Sequence, residues 1–128
     1  MWESGGLQNE DFLWAGTAFN GGIGGNQQAP CGAVSAATVY LGLSYRCSSA
    51  DKQRAKQARA EARQDASNLV TSFTQTFGTI ICRDLIKLDL SNPEDSRRLA
   101  EISKDKCDKF AEFIIGKLYE LDEKRNAA

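Results

Sequence analysis

The chain contains no histidine. That excludes Ser-His-Asp and Cys-His catalysis, imidazole-ligated zinc and the C-x-x-C-H haem attachment motif. No pair of cysteines is spaced C-x-x-C, so a thioredoxin-like dithiol is excluded as well. There is no G-x-x-x-x-G-K-[ST], so the abundant glycines do not form a nucleotide P-loop. Neither sign of charge dominates: 16 basic against 17 acidic residues leave a net charge of -1. No basic field for nucleic acid results. The longest apolar run, Ala33 to Leu43, is too short to cross a bilayer and is interrupted by Gly42. The opening "MWESGGLQNED" has neither a basic start nor an apolar core, so it does not read as a secretory signal and a cytoplasmic address is expected. Only two prolines occur, while alanine, leucine, glutamate, lysine and arginine are frequent, a composition that leans to helix.

The 128 residues suit one helical domain, 1–128, with residues 1–10 expected to be loose. The expected architecture is all-α, a small bundle of about five helices with a glycine-rich loop before the second. Asn9 or Asp11 can cap a short first helix bearing Phe12, Leu13, Trp14, Ala18 and Phe19, which Asn20, Gly21 and Gly22 end. The loop "GGIGGNQQA" follows. Pro30 is placed to open a second helix, to about Tyr45, with Cys31 in its first turn. Ser48 or Ser49 can cap a long third helix, which carries Ala55, Ala58, Ala62, Ala66, Leu69, Phe73 and Phe77 on one face and ends at Gly78. Its other face begins with Lys52, Arg54, Lys56 and Arg59, but no aromatic side chain interleaves them to stack on bases, so it reads as a solvated face. Thr79 can cap a fourth helix with Cys82 in its first turn. From Pro93 in "LSNPED" one last helix is expected to run to about Lys124, with Leu99, Ile102, Phe110, Phe113, Ile114, Leu118 and Leu121 on its apolar side and Cys107 close to it.

What chemistry remains is sulfur: Cys31, Cys47, Cys82 and Cys107. Unpaired N–H groups and the dipole at a helix start stabilise negative charge. A cysteine placed there favours its thiolate, the form that attacks disulfides and binds metals. "APCGA" therefore reads as a prepared thiol, with Gly32 leaving the sulfur approachable. Arg83, directly after Cys82, adds a nearby positive charge. Cys47, among serines at a helix end, reads as incidental. The intervals of 16, 35 and 25 residues between cysteines lack the two close pairs usual for a four-cysteine zinc site. Aspartates and glutamates fall on charged helix faces, and no acid–base constellation for a hydrolase or transferase emerges.

At "GGIGGNQQAPCGAVSAA", and again at "FGTIICRDL" and Cys107, the chain resembles a bacterial and archaeal family of redox-active proteins named for a C, GCAxxG, C, C pattern. The similarity spans roughly Phe12 to Leu118. It implies a small all-helical domain with recurring cysteines and no established substrate. By position, Cys31, Gly32 and Ala33 match the central motif, Cys82 the third cysteine and Cys107 the fourth. Ala36 stands where the motif has its second glycine, and no cysteine precedes Cys31 to match the first.

The expected function is thiol-based redox chemistry. Cys31 is the accessible thiolate, Cys82 its resolving partner, and Cys107 completes the cluster; Gly32 and Ala33 lie beside any bound cofactor, though none is required. A redox partner protein is implied. Two rivals stand beside this reading. One is a metal module, iron–sulfur or zinc, with Cys31, Cys82 and Cys107 as ligands. The other is a helical interaction module, a homodimer using the face Ala55 to Ala66. No nucleic-acid or membrane partner is expected.

Overall fold

The computed structural model describes residues 6–127. They are all-α: helices α1 (Asp11–Trp14), α2 (Gly32–Tyr45), α3 (Lys52–Phe77), α4 (Cys82–Ile86), α5 (Pro93–Asp105) and α6 (Cys107–Ala127), with a 3-10 turn at Thr17–Phe19. Among these residues the only β pairing is one isolated antiparallel bridge, Pro30 with Ile81. Residues 1–5 of the segment expected to be loose lie outside the described residues; just beyond them Leu7 is buried in the core.

The core is where α2, α3 and α6 meet. Val34, Ala37 and Leu41 recur on one face of α2, and Leu69 and Phe73 on α3. Phe110, Ile114 and Leu118 line the matching face of α6. Phe73 and Phe77 of α3 interlock with Phe110 and Phe113 of α6, with ring centroids 4.9 to 5.9 Å apart across the interface and tilted or edge-on rings. At the far ends of the helices Tyr40 donates to Asp122 Oδ2 at 2.6 Å, and Arg125 donates to Asp122 Oδ1 at 2.6 Å. The same guanidinium lies over the Tyr45 ring, whose hydroxyl donates to Asp65 of α3. This polar chain joins α2, α3 and α6.

Several boundaries differ from expectation. The third helix does end at Gly78, which takes φ +90° and donates its N–H to Thr74 O at 2.7 Å. Its cap is Asp51, accepting from the Arg54 N–H at 3.1 Å, rather than Ser48 or Ser49; Ser48 Oγ instead accepts from Ala50 N–H within the turn. Pro30 does not open α2. It pairs with Ile81 in the bridge, so α2 starts two residues later and Cys31 becomes its N-cap residue. The expected single helix from Pro93 is two, parted at Lys106. The reason lies in the pattern: Lys106 stands four after Ile102 and four before Phe110, where a straight helix would need an apolar side chain. Lys106 N–H still donates to Ile102 O at 2.8 Å and Lys106 O accepts from the Phe110 N–H at 3.1 Å, Leu99 and Ile102 are partly buried against the core, and α6 starts at Cys107.

Candidate functional site

Residues Gly21 to Gly25 all have φ between +60° and +75°, five consecutive left-handed residues. Such a run is accessible to glycine and costs other residues about 1–2 kcal/mol each, which explains the four glycines. The turn is closed by backbone bonds, Gly24 N–H to Ala18 O at 2.8 Å and Gly25 N–H to Asn20 O at 2.9 Å. Gly22 is needed for space as well. A β-carbon there would lie 2.8 Å from Gln27 Cα and 2.9 Å from both Ala29 O and Cys82 Cβ. The loop thus lies directly on Cys82.

Gln27 fixes the other side of the loop. Its side chain is 1% exposed, donates from Nε2 to Leu88 O at 2.8 Å and accepts at Oε1 from Leu90 N–H at 2.9 Å. Its backbone carbonyl accepts from the Arg83 N–H at 3.1 Å. Sequence reasoning passed over Gln27, one of two adjacent glutamines in a polar loop, because nothing local distinguishes a buried tether from a solvated side chain.

The bridge then places the first two cysteines. Cys31 N–H donates to Ile80 O at 2.6 Å, and Cys82 N–H donates to Ala29 O at 3.1 Å. In an antiparallel pair the residues on either side of Pro30 and Ile81 share one face. Cys31 and Cys82 therefore project to the same side, one diagonal apart. Cys107, at the start of α6, completes the set: all three line one cavity of about 540 Å³, together with Gly32 and Ala33. Each stands at or beside a helix start. Cys47 does not join them; it lies in a separate cleft with Arg46, Ala55 and Arg59. All four are free thiols.

The electrostatics refine what the helix starts suggested. Burial, then the charges of Cys31 and Cys107, push the Cys82 thiol above its ordinary pKa. Burial, then the charges of Cys31 and Asp108, push Cys107 up too; a hydrogen bond from Ser103 and the charge of Lys106 oppose the rise. Burial is the largest influence at both sulfurs. Arg83 is not among the groups acting on Cys82; its charge instead helps to lower Asp89. Gly32 has a steric role in addition to its place on the cavity wall, because a β-carbon there would come within 3.2 Å of Phe19 O.

Zinc or an iron–sulfur group would need converging ligands. Among the described residues no set of three or more cysteine, aspartate or glutamate side chains is placed to hold a metal ion. The three thiols, as arranged, share a cavity without forming a ready ligand set. Of the alanine face expected to serve as a dimer contact, Ala55 is buried and Ala66 packs against the core of the same chain. No helix among the described residues is long and apolar enough to cross a membrane.

Fold and cavity together define the class: a small all-α protein with three cysteines, Cys31, Cys82 and Cys107, on the lining of one cavity. The chain belongs to the family described as "Putative redox-active protein (C_GCAxxG_C_C)", whose model matches residues 1–121. No curated protein and no solved structure matches it.

Proposed function

We propose that this protein works by thiol–disulfide exchange, with Cys31 as the attacking sulfur and Cys82 as the resolving one. The observation that carries the reading is that Cys31, Cys82 and Cys107 line one cavity, with charge on Cys31 felt at both of the others. Ionising Cys82 or Cys107 is opposed by burial and by like charge, which leaves the first attack to Cys31. Its thiolate attacks one sulfur of a substrate disulfide, forming a mixed disulfide and expelling a thiolate. Cys82 passes its proton to that thiolate and attacks the Cys31 sulfur. A Cys31–Cys82 disulfide forms, the second substrate thiol leaves, and two electrons have passed to the substrate. Cys107 completes the cluster as a neutral thiol beside the pair. A redox partner protein would restore the dithiol, and a reducing compartment such as the cytoplasm suits free thiols. The homodimer rival keeps only the outward-facing part of α3 as a contact surface.

Intact mass after alkylation tests the reading. Reduced protein treated with bis(2-hydroxyethyl) disulfide should lose two alkylatable thiols. Cys82→Ser should trap a mixed disulfide on Cys31, and Cys31→Ser should do neither. Equal reaction of Cys31→Ser and the parent chain would end the proposal, and iron or zinc bound one-to-one in anaerobically purified protein would favour the metal reading instead.

A further inference from the structure

The cavity beside the three thiols is larger than two sulfurs require, and its walls are one-sided in character. About 540 Å³ lies within the range of small-molecule sites. Leu85, Ile86, Leu90, Leu99 and Phe110 form its apolar surface. Among the described residues Asp108 is the one charged residue on the lining, and no lysine or arginine is there. Lys106 is felt at Cys107 but does not line the space, and Arg83 acts on Asp89. The resolving sulfur is recessed as well, Cys82 being 7% exposed.

We propose that this cavity takes a compact, uncharged, largely apolar disulfide and turns away anionic ones; the proposal rests on the thiol reading above and names its substrate class. A carboxylate entering here leaves water for a largely apolar wall whose polar side chains besides Asp108 and the thiols, Thr17, Asn20 and Ser103, are neutral, with no cation among the described lining residues to receive it. It also approaches Asp108, whose charge is felt at the Cys107 sulfur. An uncharged disulfide meets neither penalty and gains from burying its methylenes on Leu99 and Phe110. The reaction is the balanced exchange already described: protein dithiol plus disulfide gives protein disulfide plus two small thiols.

The test is a single-turnover comparison of bis(2-hydroxyethyl) disulfide with 3,3′-dithiodipropionate, close in length and opposite in the property at issue. Each rate is divided by that of the same disulfide with free 3-mercapto-1,2-propanediol, an uncharged thiol that is a component of neither disulfide, which removes intrinsic reactivity. The uncharged compound should be favoured by at least about tenfold after this correction. Asp108→Asn should narrow the ratio and Asp108→Lys should narrow it further. Equal corrected rates, or a preference for the dicarboxylate, with Cys31→Ser still inert, would overturn the substrate class and leave the thiol reading standing. No reaction with either compound would overturn both.

Discussion

The contact of Gly22 with Cys82 makes Gly22→Ala the sharpest probe of how the site is built. A β-carbon at residue 22 would sit 2.8 Å from Gln27 Cα and 2.9 Å from Ala29 O and Cys82 Cβ. Two of those three neighbours are backbone atoms, which cannot swing aside as a side-chain tip can. The substitution also meets φ +69°, which costs about 1–2 kcal/mol for a residue bearing a β-carbon. Overpacking against fixed neighbours adds about 1–3 kcal/mol, so the total loss is about 2–5 kcal/mol. Gly24→Ala isolates the first contribution: φ is +60° there, and nothing lies within 4 Å of the added carbon. Urea denaturation of both variants should show Gly24→Ala losing about 1–2 kcal/mol and Gly22→Ala clearly more. Because the clash falls on Cys82, Gly22→Ala should also speed alkylation of that buried thiol, while Gly24→Ala leaves it slow. If the two variants prove equally stable, with equal Cys82 reactivity, then the loop does not rest on the sulfur-bearing segment as described.

Ile23 sits in the same turn at φ +67° with a β-branched side chain that is 51% exposed, so Ile23→Gly should raise stability by about 1 kcal/mol, read as an increase in the denaturation midpoint. Gln27→Leu removes the partners of Leu88 O and Leu90 N–H at a buried position and should cost about 2–4 kcal/mol by the same measurement. The pH dependence follows from the raised thiols: Cys82 and Cys107 hold their protons more tightly folded than unfolded. Their contribution is whole below the ordinary thiol pKa of about 8.5 and fades as pH rises through the folded values. Unfolding free energy should therefore decline above about pH 8.5, and Cys82→Ser should flatten that decline; an unchanged slope would count against the burial of this thiol.

Much of the fold could be read from spacing alone. The face from Ala55 to Phe77 and the stop at Gly78 define α3 because both are local signals: a period and a residue suited to positive φ. Asn92 and Pro93 mark the start of α5 in the same way, with Asn92 Oδ1 accepting from the Glu94 N–H at 2.9 Å. The errors arose where a distant segment decides. Pro30 satisfies every local condition for a first helical turn, yet Ile81, 51 residues away, claims it for a bridge. Lys106 falls within the apolar stripe of the single helix expected from Pro93, and spacing alone does not divide that stripe into α5 and α6. For the site, local pattern put Cys31 and Cys82 near helix starts, while the gathering of Cys31, Cys82 and Cys107 on one cavity depends on the bridge and on that division. Gln27 had no local signature; its importance comes from the carbonyl and amide at Leu88 and Leu90 that it meets across the fold.

The Tyr40–Asp122–Arg125 linkage lies at the opposite end of α2 and α6 from the sulfur atoms. Trimming the chain after Leu121 would strip the Tyr40 hydroxyl of its acceptor and let the two helices splay where they now cross-link. Because α2 and α6 carry Cys31 and Cys107 at their starts, shortening the protein at its carboxyl end should loosen the wall of the chamber that the thiols share, about four turns of α6 from the cut.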